Sequence, residues 1–209
     1  MPLHQIIQPD AQTTIYLWKI TEPLSQLLDE VTLKDKSLQR LQSMKSEQHQ
    51  RGFLSVRKLL QTAGYTDFNL HYDPFGKPYF DDGKHISISH SHEFSSIIIT
   101  HRNVGIDLEM QREKIAVIGF KFAERELRFL NPESADYIRK LTIIWGAKEA
   151  IFKIRNEVGI SFNNHIEVAA FDLASKKTTA VLNFAGNKIT YELFFEEVEN
   201  FTLVYAFEK

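Results

Sequence analysis

The chain has 209 residues, 43% of them hydrophobic and 25% charged, with a formal net charge of −2 and no cysteine. That length buries a sizeable core in one large domain or two small ones. The acidic balance argues against a general nucleic-acid or membrane-surface binder, and the missing thiols exclude disulfides and thiolate zinc. The start "MPLHQIIQPDAQ" lacks a basic segment followed by a long apolar core, and no apolar run approaches bilayer length, so a soluble cytoplasmic protein is expected.

In chain order, "TTIYLWKI" alternates as a strand, and "TEPLSQLLDEV" offers Thr21 as a helix N-cap with Pro23 in the first turn. A helical pattern then runs from Leu33 to about Thr62 and stops near Gly64. Residues 67–84 are turn-rich, punctuated by "DPFGKP" and "DDGK". "KHISISHSHEF" alternates as a strand with Ile86, Ile88, His90 and His92 on one face. "SSIIITHRNVGIDLEM" reads as a hairpin turning at Arg102-Asn103.

Helices are expected over 113–130 and 133–154, with Asn131 as a cap and Pro132 behind it. From His165 to Phe207 the chain reads as three or four strands, turning at "ASKK", "AGNK" and "EEVEN". The order of helices and strands is that of an α+β protein. A division near residue 110 gives segments 1–110 and 111–209.

Two places carry chemistry. "VGIDLEM" puts Asp107 and Glu109 two apart on one strand face, where like charges repel and a hard divalent cation would turn repulsion into attraction. Taken alone, such a pair also fits a strand edge with two solvated acids. In "LTIIWGAKEAIFKI", Leu141, Ile144, Trp145, Ile151 and Phe152 form an apolar helical stripe with Lys148 at its centre and Glu149 at its edge. A Glu149–Lys153 pair one turn apart is common; Lys148 needs an anion or a path to water.

"GKP" (Gly76 to Pro78), "SHS" (Ser89 to Ser91), "GIDLE" (Gly105 to Glu109) and "WGAKEAIFK" (Trp145 to Lys153) occur in this order. The set resembles the 4′-phosphopantetheinyl transferases, particularly the longer, monomeric surfactin-synthetase-activating type. The resemblance covers roughly residues 75 to 155, and its last motif is the most specific. It implies two similar α+β halves in a pseudo-twofold arrangement, active as a monomer. The first half (1–110) would hold the coenzyme A phosphates and the first metal carboxylates. The second (111–209) would hold the W-x-x-K-E-x-x-x-K helix and a C-terminal sheet.

The implied reaction moves the phosphopantetheine arm of coenzyme A to a serine of an apo acyl or peptidyl carrier protein, releasing 3′,5′-ADP. Such carriers serve fatty-acid or secondary-metabolite synthesis. Asp107, Glu109 and Glu149 would bind Mg²⁺ (or Mn²⁺), with Glu149 as base and Lys153 at the transferred phosphate. Lys77, Ser89, His90, Arg51 and Arg57 would contact coenzyme A. Such a site suffices chemically, because positioning and electrostatics carry phosphoryl-type transfer.

Two positions depart from the family pattern. In "RGFLSVRKLLQ" Gln61 replaces a basic residue, which points to another group such as Lys58. Gly146 follows Trp145 where the family has a hydroxyl residue, and it costs about 1 kcal/mol in a helix unless close packing calls for it. Zinc from His85, His90, His92 and His101 would need rings that converge, and the parity of His85 opposes this. "GFKFAERELRFL" carries Phe122, Glu126, Phe129 and Leu130 in helical register, and Lys121, Arg125 and Arg128 would attract an acidic carrier. Two rival readings use the same residues: a Mg²⁺-dependent nucleotide phosphohydrolase, and a non-catalytic relative that binds coenzyme A or a carrier.

Overall fold

The computed structural model of the chain describes residues 3–209. It divides into two compact units, Met1–Arg102 and Asn103–Lys209, each with helices and antiparallel strands, an α+β fold. No helix among the described residues is long and apolar enough to cross a membrane.

In the first unit, β1 (Leu3–Asp10) and β2 (Thr13–Lys19) pair as a hairpin. β2 follows the predicted alternation, whereas β1 is mostly exposed and gives no apolar signal. α1 (Leu24–Asp29) begins behind Pro23 rather than Thr21. The helix expected from Leu33 to Thr62 is two helices, α2 (Asp35–Ser43) and α3 (Glu47–Thr62). Met44 turns extended, and the Ser46 hydroxyl accepts the His49 N–H at 3.5 Å to start α3 afresh. α3 ends at Ala63, followed by Gly64 at φ 83°.

Two-residue strands β3 (His71–Tyr72) and β4 (Pro78–Tyr79) follow, then β5 (His85–Ser91) and β6 (Phe94–Thr100). The main sheet has the order β1-β2-β6-β5. Phe53, Leu54, Val56, Leu59 and Leu60 of α3 share a core with Ile86, Ile97 and Ile99 of the sheet. His92, expected on the strand face, lies instead in the tight turn after β5 at φ 52°.

The second unit comprises β7 (Val104–Met110), α4 (Lys114–Ile118), α5 (Tyr137–Arg155), α6 (Phe162–His165), β8 (Ile166–Val168), β9 (Lys177–Phe184), β10 (Asn187–Val198) and β11 (Phe201–Glu208). Its sheet has the order β7-β11-β10-β9-β8, and every neighbouring pair is antiparallel. The C-terminal strands turn near where the sequence placed them, with Ala185, Gly186 and Glu199 at positive φ.

Four expectations change here. β7 pairs along its whole length with β11, from Val104 opposite Phe207 to Met110 opposite Phe201, while β6 lies between β2 and β5. Arg102-Asn103 is therefore a junction between units, not a hairpin turn. For the same reason the division comes earlier than residue 110, and Asp107 and Glu109 belong to the second unit. The helix expected over 113–130 is broken into α4 and two 3-10 turns, Gly119–Lys121 and Glu126–Phe129. The Asn131 side chain accepts the Glu133 N–H at 3.1 Å in a turn, and α5 starts only after Asp136.

The units share a connectivity. In each, a strand (β2 or β7) leads through helices to a long helix (α3 or α5), and the last strand (β6 or β11) returns to pair with the first.

Candidate active site

The face of β7 that carries residues 105, 107 and 109 turns toward α5. At Gly105 the strand and helix approach so closely that an added Cβ would stand 1.9 Å from the Ala150 carbonyl oxygen. One turn earlier, Gly146 lets α5 close on the sheet, since a Cβ there would stand 2.8 Å from Cγ2 of Val204 and 3.6 Å from Oδ2 of Asp107. The glycine that departs from the family pattern thus has the close-packing role the sequence suggested. These contacts bring α5 against the acidic strand and put Glu149 beside Asp107 and Glu109.

Lys153 links the two elements. Its ammonium donates to Oδ1 of Asp107 at 2.8 Å and to the Ile106 carbonyl at 2.8 Å. Asp107 is buried, and Glu109 and Glu149 are half-buried. Burial pushes the Glu149 carboxyl up to about 7, Asp107 and Glu109 push it the same way, and Lys153 opposes them. All four predicted residues therefore act on one another across β7 and α5. Among the described residues no three His, Cys, Asp or Glu stand ready-made as a metal cage.

A groove of about 260 Å³ opens beside Glu109, lined by Met110, Arg112, Lys114, Ile115, Ile118 and Trp145. Its floor is apolar, and exposed Arg112 and Lys114 make its rim basic. Neither cation belongs to a sequence motif: Arg112 lies in the loop before α4 and Lys114 is the first residue of that short helix.

Lys148 has its anion. It is fully buried against Glu126, with Nζ 2.8 Å from Oε1, and also donates to the Phe122, Phe162 and Ile166 carbonyls. In the 119–130 segment, Phe122, Glu126 and Leu130 are buried while Phe120 and Phe129 are exposed. Lys121 and Arg128 lie on the surface, and Arg125 is tied to Glu167 at 3.2 Å.

The first unit holds the residues predicted to contact coenzyme A. Lys77 leaves the Asp73–Gly76 turn, where Oδ1 of Asp73 accepts the N–H groups of Phe75 and Lys77. Burial, and then the charges of Lys77 and His101, hold His85 below its usual range, so a basic cluster stands at the start of β5. Ser89 is buried opposite Ser96, and His90 is exposed with its ring over Gly52 of α3. A Cβ at Gly52 would stand 3.2 Å from the ring Nδ1, so that glycine seats the histidine. The adjoining Arg51 donates to the Ile20 carbonyl at 3.1 Å.

Arg57, read as a coenzyme A contact, is instead part of the core. It is 3% exposed, pairs with Asp67 at 2.9 Å and donates to the Phe53 carbonyl at 3.1 Å. Its side lies inward because the residues one turn away on α3, Phe53 and Leu60, are both core residues. Lys58, the substitute considered for the missing basic residue, pairs with Glu30 at 3.0 Å, and Gln61 donates to the Glu30 carbonyl.

Residues 103–206, almost the whole second unit, match the 4′-phosphopantetheinyl transferase superfamily. The chain belongs to this superfamily. It is also 28% identical over 136 residues to the 4′-phosphopantetheinyl transferase gsp of Aneurinibacillus migulanus. That alignment covers 63% of this chain and 55% of the relative, so the chain matches about half the length of that protein. The superfamily match contains every residue of the carboxylate and lysine cluster.

Proposed function

We propose that the protein transfers the 4′-phosphopantetheine arm of coenzyme A to a serine of an apo carrier protein, releasing 3′,5′-ADP, as a cytoplasmic monomer. The observation that carries this reading is the convergence of Asp107, Glu109, Glu149 and Lys153 within the superfamily match.

The donor set fits a hard divalent cation. Burial first, and then the charges of Asp107 and Glu109, push the Glu149 carboxyl up to about 7 against the pull of Lys153, and a cation would relieve the repulsive part. Asp107, Glu109 and Glu149 would hold Mg²⁺ or Mn²⁺, which would supply charge neutralisation on the pyrophosphate of coenzyme A. Lys153 steadies Asp107 and presents its ammonium toward charge that develops on the transferred phosphate. Glu149 takes the serine proton, directly or through water, as the hydroxyl oxygen attacks phosphorus. Lys77, Ser89, His90 and Arg51 contact the coenzyme A phosphates. Arg112 and Lys114 draw an acidic carrier to the groove beside Glu109.

Incubating the protein with coenzyme A, Mg²⁺ and an apo-carrier should raise the carrier's mass by about 340 Da, the mass of the transferred arm in this phosphoryl-type transfer. Glu149→Gln should abolish the gain. Transfer by that variant at the wild-type rate would refute the assigned base. Hydrolysis of coenzyme A to 3′,5′-ADP and free 4′-phosphopantetheine, with no change in the carrier, would favour the phosphohydrolase instead.

A further inference from the structure

Lys148 stands next to the proposed base in sequence yet points away from it, into the protein. Its Nζ lies 2.6 Å from the Phe122 carbonyl, 3.1 Å from that of Phe162, 2.8 Å from that of Ile166 and 2.8 Å from Oε1 of Glu126. Both charged side chains are 0% exposed. Oε1 of Glu126 also accepts the Val168 N–H at 2.9 Å. One ammonium therefore gathers the 3-10 segment, α6 and β8 onto α5.

Stability alone gives little reason for such a pair. Buried ion pairs replaced by apolar residues of similar volume often leave stability unchanged or raised. What an apolar pair would lack is the fixing of three carbonyls at one point. Two of those carbonyls belong to Phe122 and Phe162, whose rings lie on Trp145 at centroid distances of 5.1 and 5.6 Å. Trp145 in turn lines the groove beside Glu109.

We propose that the Lys148–Glu126 pair is a positioning device: it sets Phe122 and Phe162 against Trp145 and so fixes the wall of the groove that receives the carrier. Neither residue touches a substrate. This inference rests on the transferase reading for the identity of the groove's occupant, but not for the chain of contacts that leads to it.

The test uses the full chain in a Trp18→Phe background, so that Trp145 is the only indole. Lys148→Met combined with Glu126→Gln removes both charges and keeps an acceptor for the Val168 N–H. The expected protein has a native far-UV spectrum, a red-shifted and more readily quenched Trp145 emission, and an unchanged KM for coenzyme A. Its KM for the apo-carrier rises about tenfold, in line with the cost of a displaced binding wall. A variant that melts earlier but keeps the wild-type emission and carrier KM would overturn the proposal and leave the pair a simple brace.

If the double variant does not fold, Glu126→Gln alone is read the same way, because it keeps an acceptor for the Val168 N–H but takes from the buried Lys148 ammonium the anion that holds it at the carbonyls. A shifted emission with a roughly threefold rise in carrier KM supports the proposal, and no change in either overturns it. Should the wild-type chain transfer nothing to any carrier, the function assignment fails while the Trp145 emission still decides the role of the pair.

Discussion

A methyl group at position 105 would meet backbone. The Cβ would stand 1.9 Å from the Ala150 oxygen and 2.7 Å from its carbonyl carbon, atoms of α5 that cannot swing aside. At Gly146 the nearest atoms are Cγ2 and Cβ of buried Val204 at 2.8 and 3.2 Å, a stiff side chain rather than backbone, and alanine there recovers about 1 kcal/mol of helix propensity against that clash. Gly105→Ala should therefore cost about 3 kcal/mol in urea unfolding and drive Glu149 from Asp107, with loss of transfer. Gly146→Ala should cost less, about 1–2 kcal/mol, because the clash is with one side chain and the helix propensity gained offsets part of it. Equal losses at the two sites would contradict the close approach at Gly105. Tyr191 offers a test by pH. It is fully buried, and burial, followed by the charge of Glu208, pushes its pKa up to about 12 against the opposing pull of Arg155. An unfolded tyrosine loses its proton near pH 10. The fold thus favours the neutral form, so the Tyr191 contribution is intact below pH 10 and is lost as pH rises toward about 12. Tyr191→Phe should be as stable as wild type at neutral pH and more stable than it above pH 10, by denaturant titration. A variant that loses stability equally under alkali would show that Tyr191 is not the group responsible.

For α3, the sequence registers a basic helix, but which basic residue faces a ligand depends on what packs around it. Arg57 sits over the Phe53 ring at 3.4 Å and neutralises Asp67, which is itself buried and also accepts from Lys34 N–H and Ser37. Arg57→Met leaves that carboxylate without its cation and should cost about 3 kcal/mol or more in thermal unfolding. Coenzyme A affinity of the folded variant, measured by calorimetry, should not change. Weaker binding at undiminished stability would return Arg57 to the phosphates. β2 and β10 were legible because their burial alternates with one face on the core, whereas α5 and β11 were legible as apolar segments buried on most sides. β1 was not, since most of its side chains are exposed, and the 113–130 helix was not, since its apolar period continues across turns that break the backbone. Strand parity puts Asp107 and Glu109 on one face and helix phase puts Lys153 one turn from Glu149, but only the family resemblance joined the two pairs into one site. Glu126 was seen in its apolar register, but its pairing with Lys148 joins residues whose meeting no local pattern encodes.

Across the whole chain, the same connectivity appears in two units whose sequences show no convincing repeat. Antiparallel return pairing, β2 with β6 and β7 with β11, requires alternation and suitable turns but no shared residues. The average charge misleads in a similar way. A net charge of −2 would by itself repel an acidic carrier, so under the proposed function encounter would depend on where the cations sit. Arg112 and Lys114, exposed at the groove beside Glu109, are placed to provide that local attraction. Attraction between exposed charges is screened within about 8 Å at physiological ionic strength, so the carrier KM should rise several-fold as salt is added. Arg112→Glu combined with Lys114→Glu should raise the carrier KM at low salt and flatten or invert its salt dependence. Neither substitution touches the protein core, so the melting temperature should hold. A charge-reversed variant with the wild-type salt profile would place the carrier elsewhere, with the surface cations Lys121 and Arg128 the next pair to reverse.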